Sequence, residues 1–376
     1  MTKTTKNSWQ KSNTSLLRKK DLKFFESLIN TPSPTGFEYT WQKVWIEYIK
    51  SYADEITLDT YGTAVATINP WCEYSVVLEA HCDEISWFVN YITDDGFLHV
   101  IRNGWSDHQI AQSKRVLIHS ESWTVEWVFG RPAIHTRGPL SSNKDIKMEV
   151  ENLFVDIGAK DKEEVENLGI VVGSVITYPD TFHTLNNRYY VWRAMDNRAS
   201  WFMLAQVARL LQQSKTTLPF TLHIVNSVQE EIGLKGAEMI AHTLKPNVAL
   251  VVDMCHDTST PHISKKKEWD IKCWLGPVVS TGPSVHNLLR QQVIDIAKKH
   301  DIPFQRLAAS RRTGTDTDAF AYTRWGIASA LFSLPIRYMH TTVEMAHYDD
   351  IENTIRIMLE SVKSIKGNED WKYLKV

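Results

Sequence analysis

The sequence lacks several features that would place it in particular classes of protein. Its four cysteines, Cys72, Cys82, Cys255 and Cys273, contain no Cys-x-x-Cys pair, which argues against a thiolate zinc site or a disulfide framework. No apolar run approaches membrane-spanning length, and residues 1–20 lack the apolar core of a secretion signal. The 42 basic and 44 acidic side chains nearly balance, unlike those of a nucleic-acid-binding protein. We therefore expect a cytoplasmic protein with neither a membrane nor a nucleic-acid partner.

Glycine is also scarce. It occupies 16 of 376 positions, about 4%, against a usual fraction of about 7%. Tryptophan, by contrast, occurs 14 times. The hydrophobic content of 43% supplies enough apolar surface for a large core. The chain is therefore expected to be globular, with unusually little glycine and unusually much tryptophan.

Short apolar runs alternate with helical patterns along most of the chain. The runs typical of buried strands are 75–80, 220–228, 248–252 and 327–334. Apolar residues recur at helical spacing in 37–49, 199–211, 286–300 and 351–365. This alternation predicts an α/β layer fold with a mostly parallel central sheet.

The stretch 85–178 has a different pattern. Its segments are short and alternating, with a turn signal at Asp94-Asp95-Gly96 and one charged helical candidate near 160–167. We interpret it as a small all-β domain inserted into the α/β domain. The predicted organisation is a polar, flexible tail at 1–18, a catalytic domain formed by 19–84 and 179–376, and the inserted β domain at 85–178.

Acidic and imidazole side chains follow the predicted strands. His81 and Asp83 lie two residues apart after the run 75–80, so strand alternation points both toward one site. The adjacent Glu230 and Glu231 follow the run 220–228, where open α/β sheets bind ligands. Taken singly, His81 and Asp83 are more simply explained as a surface histidine near an aspartate. Glu230 and Glu231, taken singly, are more simply explained as two solvated acids in a loop.

Three further residues repeat this pattern. Asp253 ends the run 248–252, Asp196 precedes a helix, and His340 follows another strand; each alone could be a helix cap or a loop residue. Together with the two pairs they provide enough carboxylates and imidazoles to bind two metal ions, one of them through a bridging aspartate. The joint pattern therefore predicts a two-metal hydrolytic site.

The motifs resemble those of the M42 family of metallo-aminopeptidases, which includes glutamyl aminopeptidases and large tetrahedral peptidases. The resemblance extends from Thr31 to about Ile365 and rests on motifs in family order: 80–85 (AHCDEI), 195–198 (MDNR), 229–237 (QEEIGLKGA), 252–253 (VD), 314–316 (GTD) and 337–340 (RYMH). It implies a three-layer zinc-peptidase-like domain with a barrel- or PDZ-like insertion that mediates dimerisation.

The resemblance also implies roles for individual residues. It makes Glu230 the general base and Asp83 the residue that orients His81. The implied metal ligands are His81, Glu231, Asp253 and His340, with Asp196 as the bridge. The implied cofactors are two divalent ions that share a hydroxide, zinc by preference, with cobalt or manganese as alternatives. Thr315, Asp316 and His135 are implied substrate-binding residues, and His135 is expected near the pocket of a neighbouring subunit.

The predicted activity is removal of N-terminal residues from short peptides. The implied assembly is a homo-oligomer built from dimers, up to a dodecamer. Two alternatives stay open: a related two-metal carboxypeptidase or N-acyl amino-acid deacylase, and a non-catalytic scaffold of the same fold.

Five tryptophans stand where similar sequences have glycine: Trp87, Trp127, Trp201, Trp274 and Trp325. The largest side chain rarely replaces a glycine that is needed for positive φ or close backbone approach. Two hypotheses follow: the source organism reads the UGA codon as glycine, or the chain carries genuine aromatic substitutions. UGG codons at these positions in the gene would exclude recoding. No proposed site residue is a tryptophan, so the predicted chemistry does not depend on the answer.

Overall fold

The computed structural model describes residues 16–40, 42–120, 123–136, 149–179 and 181–375. Most of the predicted tail, residues 1–15, lies outside this range. The strands, in chain order, are β1 (Glu55–Leu58), β2 (Ala64–Ile68), β3 (Ser75–His81), β4 (Ser86–Ile92), β5 (Leu98–Asn103), β6 (Arg115–His119), β7 (Thr124–Phe129), β8 (Phe154–Asp156), β9 (Val175–Thr177), β10 (His183–Leu185), β11 (Tyr189–Trp192), β12 (Thr221–Ser227), β13 (Val248–His256), β14 (Val278–Thr281), β15 (Gln305–Ala308), β16 (Ala328–Arg337) and β17 (Glu344–His347).

Helices cover both faces of the main sheet. They are α1 (Lys19–Ile29), α2 (Lys43–Ile49), α3 (His108–Ala111), α4 (Lys162–Asn167), α5 (Met195–Gln213), α6 (Lys235–Leu244), α7 (Asn287–Lys299), α8 (Thr317–Ala321) and α9 (Tyr348–Ser364). Alternate residues of β3 pack on opposite faces: Val76 and Leu78 join the core beneath α5 and α9, and Val77 joins the core beneath α6 and α8. Burial on both faces explains why these strands are continuous apolar runs.

The main sheet has eleven strands and mixed pairing. Its principal order is β1-β2-β12-β3-β13-β16-β17-β11-β10, and β14 joins β15 to β16. The four central strands β12, β3, β13 and β16 are parallel, whereas the flanking pairs from β1 to β12 and from β16 to β10 are antiparallel. The expectation of a mostly parallel sheet is therefore met only for these four strands and for the pair β14–β15, which is also parallel. Short connections such as those from β1 to β2 and from β10 to β11 permit only antiparallel pairing.

The inserted stretch forms a separate closed barrel of six strands, in the order β4-β5-β8-β7-β6-β9. All its pairings are antiparallel. Its interior is apolar, and the Trp87 ring packs edge-on against Phe129 at 5.7 Å between centroids. The Trp87 indole N–H donates to the Tyr178 hydroxyl at 3.2 Å. The barrel thus has its own core, distinct from the core beneath the main sheet.

No helix among the described residues has the length and apolarity needed to cross a bilayer.

Candidate active site

His81 lies at the centre of a cluster of carboxylates. It is the last residue of β3 and is buried. Its Nε2 lies 3.2 Å from Asp196 Oδ1 and 3.6 Å from Asp253 Oδ1, while its Nδ1 lies 3.3 Å from Asp83 Oδ1. Asp253 does not end its strand as expected, since β13 continues to His256. The structure nevertheless brings His81, Asp196 and Asp253 together.

A second group of side chains shares Asp196. His340 Nε2 lies 3.3 Å from Asp196 Oδ2 and 3.4 Å from Glu231 Oε1. Within each group, His81–Asp196–Asp253 and Asp196–Glu231–His340, one ligand atom per residue lies within 4.8 Å of the others. Asp196 therefore presents one carboxylate oxygen to each group, which is the geometry of a bridging ligand.

The donor atoms fit divalent cations. Both groups combine imidazole nitrogen with carboxylate oxygen, the ligand set that zinc and similar ions accept. Asp196 Oδ1 is buried and has no hydrogen-bond donor in the described part of the chain. Burying an unpaired carboxylate oxygen is costly, and a cation at this position would compensate for it.

The electrostatics of the cluster also fit a bound cation. Burial raises the pKa of Glu231 and of Asp253, and the neighbouring Asp196 carboxylate raises both further. Burial by itself would lower the pKa of His81, but Glu230 and the surrounding aspartates raise it well above its usual value. Several carboxylates therefore lie around two imidazoles, and a bound cation would reduce the repulsion among these carboxylates.

Asp83 holds the loop that follows β12. Its Oδ1 accepts the Glu230 backbone N–H at 2.8 Å, and its Oδ2 accepts the Glu231 N–H at 3.1 Å. Thr35 Oγ1 donates to the same carboxylate at 2.9 Å. One buried carboxylate therefore contacts His81 and fixes the backbone of both glutamates. Thr35 was not anticipated; it lies just before the first predicted helical stretch, 37–49.

Glu344 is a site residue that sequence reasoning missed. It begins β17 and is buried, with Oε2 accepting the Asp196 backbone N–H at 3.1 Å and Oε1 accepting the His340 N–H at 2.6 Å. Burial and the nearby Asp196 carboxylate raise its pKa to about 8. Glu344 ties the segments that carry Asp196 and His340 together. No motif marked it, because its role depends on strand pairing distant in sequence.

A buried ion cluster anchors the start of α5. Glu84 accepts hydrogen bonds from the guanidinium groups of Arg193 and Arg198, and its Oε1 also accepts the Ser33 backbone N–H at 2.7 Å. Arg198 donates in addition to the Ile29 carbonyl at 2.7 Å. These contacts join the segment after His81 to the helix that begins next to Asp196. Two arginines on one buried acid leave its carboxylate well compensated.

The predicted substrate-binding residues lie in different environments. Thr315 lines the cavity next to the cluster. Asp316 is buried behind it, where Ser227 Oγ donates to its Oδ2 at 3.1 Å and to Glu79. Burial raises the pKa of Asp316 to about 6. Asp316 therefore does not line the cavity, and its carboxylate is hydrogen-bonded in the interior. His135 is exposed on a short helical turn beside the barrel, and its proposed contact with another subunit stays a prediction.

The five tryptophans at glycine-like positions divide by environment. Trp87 and Trp201 are fully buried, and the Trp201 indole N–H donates to the His81 carbonyl at 2.7 Å. Trp127 is half-buried, and its indole N–H lacks a partner in the described regions. Trp274 has φ of 68°, and Trp325 is 98% exposed. Trp87 and Trp201 are thus packed in the two cores, whereas Trp274 has a backbone conformation that favours glycine.

The cluster opens into a cavity of about 840 Å³. The proposed catalytic and metal-binding residues that line it are His81, Asp196, Glu230, Glu231, Asp253 and His340. The barrel contributes Trp105, which is 74% exposed, from the loop after β5. In that loop Gly104, with φ of 73°, packs against Glu231, where a Cβ would lie 3.2 Å from Glu231 Cβ. Both structural units therefore form the walls of the site.

Comparison with known proteins assigns this site to a class. Residues 62–357 match the family described as M42 glutamyl aminopeptidase. The chain is similar to lysyl aminopeptidase from Pyrococcus furiosus, with 29% identity over 347 residues that cover 92% of this chain and 98% of the relative.

Solved structures agree with that match. A TET aminopeptidase from a marine sediment thaumarchaeon is similar with a TM-score of 0.87 and 29% identity, covering 92% of this chain and 97% of that one. The TET1 peptidase of Pyrococcus horikoshii is similar with a TM-score of 0.79 and 26% identity, covering 90% of this chain and 98% of that one. That peptidase can assemble into a tetrahedron or a large octahedral shell.

The fold and the site therefore define a peptide hydrolase of the aminopeptidase class. The chain belongs to the M42 glutamyl aminopeptidase family. This confirms the resemblance and the class of enzyme that the motifs predicted.

Proposed function

We propose that this aminopeptidase removes N-terminal residues from short peptides at a site that holds two divalent cations. The observation that carries the proposal is the position of Asp196, which presents one carboxylate oxygen to each of two ligand groups. His81 and Asp253 would complete the first group, and Glu231 and His340 the second. Zinc suits these nitrogen and oxygen donors, and cobalt or manganese would be accepted by the same set.

Bound cations would lower the pKa of a water molecule and polarise the peptide carbonyl. The general base in this proposal is Glu230, which lines the cavity, belongs to neither ligand group and has Oε2 3.9 Å from His81 Nε2. Glu230 would take a proton from the attacking water and deliver it to the leaving amine. Asp83 would hold His81 and the Glu230 backbone in place through the contacts described above.

A free N-terminal amine suits the proposed site better than an N-acyl group does. The lone pair of a neutral amine would act as a further ligand of a cation held by these residues, and an N-acylated substrate offers no such nitrogen. This favours the aminopeptidase over a carboxypeptidase or a deacylase of similar architecture. Turnover of N-acylated peptides with no turnover of free-amine peptides would overturn the assignment. Metal-free, inert protein would support a scaffold.

The test of the base is the Glu230→Gln variant. We expect kcat to fall by roughly 10²- to 10⁴-fold, because a positioned general base contributes about that much. The metal content, measured by mass spectrometry, should stay that of the wild type. Glu268→Gln, which removes another acid from the cavity lining, is the matched control and should retain activity. Full activity of Glu230→Gln would refute the assigned base.

We further propose that the barrel, residues 85–178, mediates assembly of a dimer-based homo-oligomer and that His135 approaches a neighbouring subunit's pocket. The assembly reported for the Pyrococcus horikoshii relative supports this proposal. Light scattering of the purified protein tests it, and a monomer would contradict it. The cytoplasmic location stays a prediction.

A further inference from the structure

Two adjacent arginines line the active-site cavity. Arg311 and Arg312 lie on the loop between β15 and α8, and both are exposed. Within the described ranges, neither forms a hydrogen bond, an ion pair or an aromatic contact. Arginine presents a planar fork of donors that matches a carboxylate, so an unpaired arginine in a binding cavity is available to one.

The loop that carries them is anchored on both sides. Before the arginines, the Ala309 N–H donates to the Thr281 carbonyl at 2.7 Å. After them, Asp318 accepts the backbone N–H groups of Thr313 at 2.9 Å and Gly314 at 3.1 Å. The Ser284 hydroxyl donates to the same carboxylate. A loop that is already held by hydrogen bonds loses less conformational entropy when it binds a ligand. This lower entropic cost favours ligand recognition by the side chains of the loop.

The cavity is lined by side chains of both charges. The carboxylates of the ligand groups and of Glu230 belong to the lining. Arg311 and Arg312 belong to the loop after β15, which forms part of the cavity wall. Lys267 also lines the cavity, but its Nζ lies 3.5 Å from Glu268 Oε1, so its charge is already paired. A free peptide has an amine at one end, which the proposed cations would hold, and a carboxylate at the other, which matches the charge of the arginines. Complementary charge selects both the ligand and its orientation.

We propose that Arg311 and Arg312 bind a carboxylate of the substrate, and that in a short peptide this is the C-terminal carboxylate. The inference rests on the proposed function, because it requires the amine of the substrate to lie at the proposed metal site. It assigns a preference for short peptides with a free C-terminus to these two residues. An acidic side chain on the substrate would offer the same chemistry, and the experiment separates the two sources.

The test compares the Arg311→Gln/Arg312→Gln double variant with the wild type. Arg306→Gln is the matched control, since Arg306 lies on β15 outside the cavity lining, with its guanidinium 5.6 Å from the Phe304 ring centre. The value of kcat/KM is measured for Leu-Gly-Gly and its C-terminal amide, and for the anilides of glutamate and glutamine. Each pair differs by one carboxylate.

We expect the double variant to lose roughly tenfold or more in kcat/KM on Leu-Gly-Gly, since a charge-assisted pair is lost. Its turnover of the amide should match the wild type. A selective loss on the glutamate anilide would instead identify a side-chain carboxylate as the ligand. Unchanged preferences on both pairs would overturn the proposal, as would a loss of the same size in Arg306→Gln.

A binding measurement separates this proposal from the proposed function. Calorimetry with the Glu230→Gln variant compares the affinity for Leu-Gly-Gly and for its amide, with and without the two arginine substitutions. Weaker binding of the free acid only in the triple variant supports carboxylate recognition, even if the wild type hydrolyses neither peptide. Equal binding in all cases contradicts it, while activity on free-amine substrates would leave the proposed function intact.

Discussion

The main sheet and the barrel are built from strands of similar length, yet only the sheet gathers reactive side chains. The four parallel strands at its centre end at one edge, where His81 terminates β3 and Glu230 follows β12. The barrel closes on itself, so all six of its strands pair on both sides and its interior is filled by apolar residues. An open edge of parallel strands leaves room for loops that converge on a site, and a small closed barrel does not.

The first prediction tests this contrast through one imidazole from each unit. His340→Ala should lose metal and nearly all activity, because it removes a nitrogen from the group that contains Asp196 and Glu231. His119→Gln changes a barrel imidazole whose Nε2 lies 2.9 Å from Thr177 Oγ1. The His119→Gln variant should retain its metal content and its activity. Metal analysis and kcat/KM are the measurements, and full metal content in His340→Ala would remove His340 from the ligand set.

The second prediction concerns tryptophan in the two cores. Trp201→Gly in α5 and Trp87→Gly in the barrel should each lower the free energy of unfolding by about 3–5 kcal/mol, because each leaves a large cavity. Trp274→Gly should instead raise it by about 1 kcal/mol, since glycine tolerates the positive φ. Urea unfolding measures all three.

A gain in stability for Trp201→Gly or Trp87→Gly would contradict the packing seen at that position. It would support glycine as the natural residue and hence the recoding hypothesis. The codons of the gene provide an independent check that requires no folded protein.

The third prediction compares a partly buried histidine in each unit. Burial lowers the pKa of His223 on β12 and of His119 on β6 to about 4. The unfolded chain binds the proton near the usual value, so each neutral imidazole contributes stability above about pH 6.5 that is lost as the pH falls toward 4. His223→Gln and His119→Gln should each reduce this loss by on the order of 2 kcal/mol.

The measurement is the free energy of unfolding in urea at about pH 5 and about pH 7.5, which bracket most of the transition. His242→Gln, on the exposed face of α6, is the control for the substitution itself. An unchanged pH dependence in the His223→Gln and His119→Gln variants would show that these imidazoles titrate alike in the folded and unfolded chains.

The sequence located the sheet residues well because their signal is local. His81, Glu230 and Glu231 lie at or just after continuous apolar runs, and order along the chain suffices to place them. Glu344 accepts from Asp196 and Thr35 donates to Asp83, in both cases between segments that are distant in sequence, and no local pattern marks such pairings. Asp316 shows the converse, because its motif lies beside the cavity while its carboxylate is hydrogen-bonded in the interior. The helix α1 was not predicted either, although Phe24, Phe25 and Leu28 form its buried face.

The smallest expected effect concerns the contribution of the barrel to the cavity. Trp105→Ala removes an exposed ring from the loop in which Gly104 packs against Glu231, but it removes no ligand or proton-transfer group. We expect KM for short peptides to rise roughly fivefold, since lost apolar contact in a pocket costs about 1 kcal/mol or more, with kcat and metal content unchanged. A large fall in kcat would show that the barrel loop takes part in positioning Glu231. The division between a reactive sheet and a structural barrel would then no longer hold.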